Sequence, residues 1–332
     1  MKSKLPLNVF LIYFISCLIV NISVKLSAQQ ASEKKFINAR ITEVVRVRTG
    51  SGPENIGVIN PPEAEAIGPM SLTVSDDGEI YILDQLNSRI QVFRDGKRTG
   101  TIKLPVKSEG LLDIELLPGK KIALLDNFME KSLFIIDNQG KLVNTIILEG
   151  QLIAYAPEAT EINVVKEGKF TGVWVSVNDR SVKLADTDGK TTMRVSVPGK
   201  LTYNSEWLLG AEILGDITAV IRRSEKGSLS RWEPDQTVTF DTGIIHIYGP
   251  WNDSKGNIYL AAFLEKSDEP GKSTFDNVMV VFSPEMKETG RIKLAVQDAP
   301  FEIFHSIKVA QNGQIYQMLA EKNDIVVLKY EY

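Results

Sequence analysis

Few side chains in this 332-residue chain have the types needed for catalysis or metal binding, and they limit the chemistry open to it. There are two histidines, His246 and His305, and one cysteine, Cys17. A catalytic zinc commonly takes three protein ligands, so two histidines would need a carboxylate to complete the set. Calcium asks only for oxygen ligands, and Asp113, Glu161 and Glu212 are the acids that stand near candidate inner strands. Tyr248 follows His246 by two positions, which makes His246, Tyr248 and His305 the candidate catalytic groups. None of these residues falls into a recognised ligand motif, so no cofactor is expected, with Ca2+ or Zn2+ as the alternatives. The sequence also lacks a Gly-x-Ser-x-Gly elbow, a phosphate-binding Gly-Lys loop, a haem-attachment motif and a dinucleotide fingerprint.

A second polar constellation sits inside "DGEIYILDQLNSRIQVFRDGK", residues 77–97, where Asp84, Asn87 and Arg89 interrupt two alternating apolar runs. An Asp or Asn in such a loop bonds nearby backbone, and an arginine entering the next strand reaches back to the carboxylate. The reading is a structural clasp on a hairpin, with a ligand-binding carboxylate and guanidinium as the alternative.

The elements that must position these groups are strands. After residue 30 short alternating runs dominate, punctuated by glycine, asparagine and aspartate, with almost no helical period. Seven two-residue signals, ending at Gly78, Gly96, Gly140, Gly168, Gly189, Gly256 and Gly313, mark tight hairpins. "MSLTVSDDGEIYILD", "LLDIELLPGKKIALLD", "YGPWNDSKGNIYLA" and "HSIKVAQNGQIYQM" repeat one order of strand, turn and strand. "RIQVFRDGK", "SLFIIDNQGK", "SVKLADTDGK" and "VMVVFSPEMK" supply the third strand and its outgoing turn. A period near 40 residues with four strands per unit is the signature of radial repeats. Six units are expected, opening near Gly68, Gly110, Leu152, Glu206, His246 and Phe301. The last unit stops at three strands, and "ARITEVVRVR", residues 39–48, is a strand without a unit. Pairing the two closes a ring, so the fold class is an all-β, six-bladed β-propeller of four-stranded antiparallel blades over residues 39–332.

The stretch "GPMSLTVSDDGEIYILDQLNSRIQVF" resembles an NHL repeat, and the chain is similar to six-bladed propellers of the NHL and TolB-like class. The match is close in the first unit, partial in the fifth and sixth, and rests on strand pattern in the second to fourth. The resemblance implies the fold and leaves the function to the site. Related propeller classes include lyases with a histidine-ligated zinc and lactonases with a channel calcium, which would use His246, His305, Tyr248 and nearby acids.

In such a ring the first strands line a channel. The loops joining second to third strands share one face with those joining consecutive blades. On that face the sequence places Phe128, Tyr155, Tyr203, Trp207, Trp232, Phe263, Phe275 and Phe304, of which Phe128, Tyr203, Trp207, Trp232 and Phe275 are the binding candidates. Aromatics anchor protein and sugar partners alike. Two long segments, Arg222–Trp232 and Glu265–Asn277, are expected to be loops there.

The N-terminus has its own logic. Lys2 and Lys4 precede "LPLNVFLIYFISCLIV", and a small residue stands at Ala28. That reads as a secretory signal peptide over residues 1–28, a retained signal anchor being the alternative, with a short linker over 29–38. Cleavage removes Cys17 and takes the formal charge from −4 to −7, which offers no long-range attraction for nucleic acid. The expectation is a secreted or periplasmic protein with no membrane span after cleavage. Its role is a non-catalytic binding or scaffold module for a protein or glycan partner, the alternative being a metal-dependent lyase or lactonase.

Overall fold

Runs of alternating apolar residues between glycine turns form strands of two to twelve residues here, and they stack as six separate sheets. The computed structural model describes residues 35–63, 66–107, 109–204, 206–269, 272–297 and 303–332. The expected signal peptide lies outside them.

Strand β1 (Arg40–Arg48) comes first and pairs last. The first blade holds β2 (Leu72–Val74), β3 (Ile80–Asp84), β4 (Arg89–Arg94) and β5 (Lys97–Lys103). The second holds β6 (Leu111–Leu117), β7 (Lys121–Asp126), β8 (Ser132–Asp137) and β9 (Leu142–Ile147). The third holds β10 (Ala159–Val165), β11 (Gly172–Val177), β12 (Arg180–Ala185) and β13 (Ser196–Pro198). The fourth holds β14 (Lys200–Leu201), β15 (Leu208–Gly215), β16 (Thr218–Arg223) and β17 (Gln236–Thr239). The fifth holds β18 (Gly243–Asn252), β19 (Ile258–Glu269), β20 (Lys272–Phe282) and β21 (Glu288–Leu294). The sixth holds β22 (Ile307–Val309), β23 (Ile315–Glu321) and β24 (Asp324–Glu331), with β1 as its outer strand.

Each sheet is antiparallel and in simple up-and-down order, so the molecule is a six-bladed β-propeller. The ring closes where β1 pairs with β24, from Arg40 opposite Glu331 to Arg48 opposite Asp324. All seven turn glycines adopt φ between 74° and 87°, the left-handed region that glycine enters without penalty.

The core is divided in the same way as the sheets. Six buried clusters lie one at each interface between neighbouring blades, so each blade buries both faces. The interface of blades three and four is the smallest, with Val165, Trp174, Val197, Leu201 and Leu208 buried.

Two expectations need correction. The fourth blade begins at Lys200, before Glu206, because its first strand is only two residues long and carries no alternation to read. The segment expected as a loop over Glu265–Asn277 is instead the tip of a long hairpin in which β19 and β20 stay paired, as at Glu265 opposite Phe275. Backbone pairing there holds polar residues in strands. Among the described residues no helix is long and apolar enough to cross a membrane.

Candidate functional site

Asp84 ends β3 and is buried, and the first blade's polar residues converge on it. Arg89 Nε donates to its Oδ2 at 2.6 Å, and Asn87 Nδ2 donates to both oxygens at 3.0 Å. The segment that leads from β1 to β2 folds over this loop. Gly57 N donates to Asp84 Oδ1 at 2.7 Å, and Arg89 Nη2 donates to the carbonyls of Gly52 and Asn55 at 2.7 and 2.6 Å. A side chain at Gly57 would sit 2.9 Å from the carboxylate, which explains the glycine. Every bond made here is internal, the geometry of a clasp.

The first strands surround the channel, and polar side chains cross it in layers. At one end Ser71 Oγ donates to Asp113 Oδ1 at 2.7 Å, and Ile162 N donates to Asp113 Oδ2 at 2.7 Å. His305 Nε2 lies 2.8 Å from Thr160 O and 4.0 Å from Asp113 Oδ2. These contacts tie blades one, two, three and six together. Ser71 donates to the carboxylate and not to the histidine, so this serine, aspartate and histidine do not form a nucleophile and base pair.

One layer further along, Lys308 in β22 pairs with Glu115 in β6, and Thr73 Oγ1 donates to Glu115 Oε2 at 3.1 Å. Burial pushes the Lys308 ammonium down to about 8, with the Asp113 carboxylate opposing the shift. Beyond this layer the channel widens into a funnel of about 880 Å³. It opens on the face that carries the turns between first and second strands, since Asp76, Lys120, Lys166, Tyr203, Trp251 and Gln311 line it. Its wall is spanned by further pairs between blades: Lys200 with Glu161 at 2.5 Å, and Lys166 with Asp76 at 3.0 Å. The Lys166 ammonium lies 5.7 Å from the Tyr203 ring centre, and that of Lys200 lies 5.6 Å from Trp251. Tyr203 N donates to Asn252 Oδ1 at 3.2 Å, which joins blades four and five at the mouth. Tyr81 donates to Glu79 at 3.1 Å, and burial together with that bond raises its hydroxyl to about 12, so it remains a donor at neutral pH.

The candidate residues named from sequence fall in different places. His305 and Asp113 meet at the end of the channel away from the funnel. His246 is exposed and rests edge-on against Tyr248, with ring centres 4.5 Å apart. Glu161 is in the funnel wall, whereas Glu212, in the exposed half of β15, pairs with Arg222 of β16. Asp113, Glu161 and Glu212 thus each have a separate partner. Among the described residues no three His, Cys, Asp or Glu side chains converge in a way that could hold a metal ion.

The aromatic residues expected on one face divide between two. Phe128, Tyr155, Phe275 and Phe304 lie on the face of the second-to-third loops, with Phe263 stacked on Phe275 at 5.3 Å. Phe128 is the most exposed aromatic among them at 71 %, yet its loop is fixed. The backbone amides of Phe128, Met129 and Glu130 all donate to buried Asp126, at 3.1, 2.8 and 3.1 Å. Tyr203, Trp207 and Trp232 lie on the opposite face, with the funnel. Tyr203 and Trp207 follow the first strand of blade four, and Trp232 closes the loop between its third and fourth strands. Trp232 packs against the core of blades three and four, and Arg223 covers Trp207 at 5.0 Å.

Several funnel residues were not among the candidates: Glu115, Lys166, Lys200, Trp251 and Lys308. A signal for two of them was present. Thr73, Asn163, Trp251 and Lys308 each stand five residues before a turn glycine, and Asn163, Trp251 and Lys308 all line the funnel.

No family model matches the chain, and no curated protein matches it. Solved structures do. Hydrazine synthase from Kuenenia stuttgartiensis aligns at 13% identity over 78% of this chain and 76% of its own, with a TM-score of 0.50. A DUF4221-family protein from Bacteroides vulgatus aligns at 9% identity over 88% and 98%, with a TM-score of 0.49. Virginiamycin B lyase from Staphylococcus aureus aligns at 13% identity over 88% and 99%, with a TM-score of 0.43. At these identities the likeness is one of propeller fold alone.

Proposed function

We propose that this protein is an exported, NHL-like propeller that acts as a binding module and takes its ligand in the funnel. The observation that carries the reading is the funnel itself. It is a concave site of the volume ligand pockets have, bounded by side chains from all six blades, among them the aromatic rings of Tyr81, Tyr203 and Trp251. The polar groups at its narrow end are bonded to one another, an arrangement that holds the shape of the site. A second surface is favoured by Phe128. A rigid, exposed aromatic suits a protein partner, because little entropy is lost when it is covered.

The test is a screen of the folded chain against arrayed oligosaccharides and peptides, repeated with Trp251→Ala and Ala310→Trp in the funnel and Phe128→Ala on the other face. Circular dichroism would establish that each variant is folded. Binding lost with the funnel variants and kept with Phe128→Ala is the expected outcome; binding sensitive to Phe128 alone would move the site to the opposite face. Elemental analysis of chelator-free protein adds a check, since one tightly held divalent ion per chain would favour a lyase or lactonase instead.

A further inference from the structure

The funnel is rich in charge, and four of its cations hold all five of its carboxylates. Six cations and five carboxylates line it. Lys308 faces Glu115, Lys200 faces Glu161, Lys166 faces Asp76, and Arg94 faces both Asp77 and Glu79. Lys121 donates to the carbonyl of Asp188 at 2.5 Å. Lys120, exposed at the rim, is the lining cation with no such partner among the described residues.

Each match links two blades, except for the Arg94 cluster within blade one. Deeper than Lys120 and Lys121, which stand outside these pairs at the turn between β6 and β7, an anion would have to draw a lysine from its carboxylate and leave that carboxylate unpaired in a recessed site, which is unfavourable. A cation meets the same obstacle in reverse. It also finds the natural seats for a cation, the faces of Tyr203 and Trp251, occupied by the ammonium groups of Lys166 and Lys200.

A hydroxyl is both donor and acceptor, so it can bond to an ammonium and its carboxylate together without parting them. The funnel offers that combination beside amide side chains, Asn138, Asn163 and Asn252, and beside apolar surface from Leu201, Val164 and Trp251. We infer that the funnel takes a polyhydroxylated ligand without net charge, a neutral saccharide chain. This rests on the reading of the funnel as the ligand site.

Calorimetric titration of the whole chain at neutral pH tests it, using neutral hexasaccharides (gluco-, manno-, xylo- and N-acetylchito-oligomers) beside hexagalacturonate, spermine and triglycine. The expected result is that at least one neutral chain binds and that Trp251→Ala weakens it by about tenfold or more. Hexagalacturonate, spermine and triglycine should not compete. Glu115→Gln, which leaves the Lys308 ammonium without its carboxylate, should admit hexagalacturonate where the parent protein does not.

Three results would overturn the inference. Binding of hexagalacturonate, spermine or triglycine by the parent protein, sensitive to Trp251→Ala, would show the ligand class to be wrong and leave the funnel as the site. Failure of every neutral chain would do the same for the class. Neutral-chain binding indifferent to both Trp251→Ala and Ala310→Trp would instead remove the funnel from the account, and this inference with it.

Discussion

Asp84 gathers four kinds of donor around one buried carboxylate: a backbone amide, an asparagine, a glutamine and an arginine. Removing it would leave Arg89, largely buried, without its counter-charge. Asp84→Ala is therefore expected to destabilise the chain by about 3–5 kcal/mol, the cost of breaking such a pair one-sidedly, as read by urea denaturation. At Lys308 the prediction concerns pH. The folded ammonium gives up its proton near 8, and an unfolded lysine does so near about 10.4. Between those values the unfolded chain binds more protons, so stability rises with pH across the window, while below 8 the burial penalty is fully present. Comparing the wild type with Lys308→Met from pH 7.5 to 10.5 checks this; equal slopes would contradict it. The contacts of Asp84 with Asn87 and Arg89 are legible in sequence because the three lie within six residues of one another. The Lys308 and Glu115 pair is not, because its members stand 193 positions apart and only the closed ring brings them together.

At the scale of elements the interface between blades three and four is the sensitive one. Trp174 is fully buried there, and its Nε1 donates to Phe170 O at 2.8 Å. Trp174→Ala should cost about 3–5 kcal/mol. Trp207→Ala, on the same side of the ring, should cost less than about 1 kcal/mol, since a cation–π contact at an accessible site is worth little more. Thermal unfolding of both variants would separate them. Trp207 and Trp232 looked equivalent in the sequence, and their difference follows from the two-residue strand β14. A strand that short offers no alternation, so the fourth blade could not be framed and its aromatics were given the wrong face. The hairpin of β19 and β20 departs from its expected loop for a related reason. "EKSDEPGKSTFDN" has the composition of a loop, and strand pairing at an exposed tip needs no apolar residues. Where strands carried both alternation and a turn glycine, as in β2 with β3 and β22 with β23, sequence and structure agree.

For the molecule as a whole the decisive contact is the one between β1 and β24. Without β1 the sixth blade would have three strands and expose the edge of β24, an invitation to non-native pairing. A chain shortened by residues 37–48 is expected to lose cooperative unfolding and to associate, as light scattering and a denaturant titration would reveal. A monomer with an unchanged midpoint would contradict the assigned role of closure. The ring also explains why the funnel can be lined by charges without coming apart. Each blade is held by apolar cores on both sides, so the lysines and acids of the channel serve to shape the site and need not carry the fold.

Ring closure has a consequence in time. Arg40 and Glu331 pair across 291 positions of chain, so at synthesis rates of about 5–20 residues per second β1 waits roughly 15–60 s for its partner to be made. Throughout that interval the newborn protein is an open arc with a sticky end. Whatever handles the chain before release, whether ribosome, chaperone or export machinery, must keep "RITEVVRVR" from neighbouring copies until the last residues arrive.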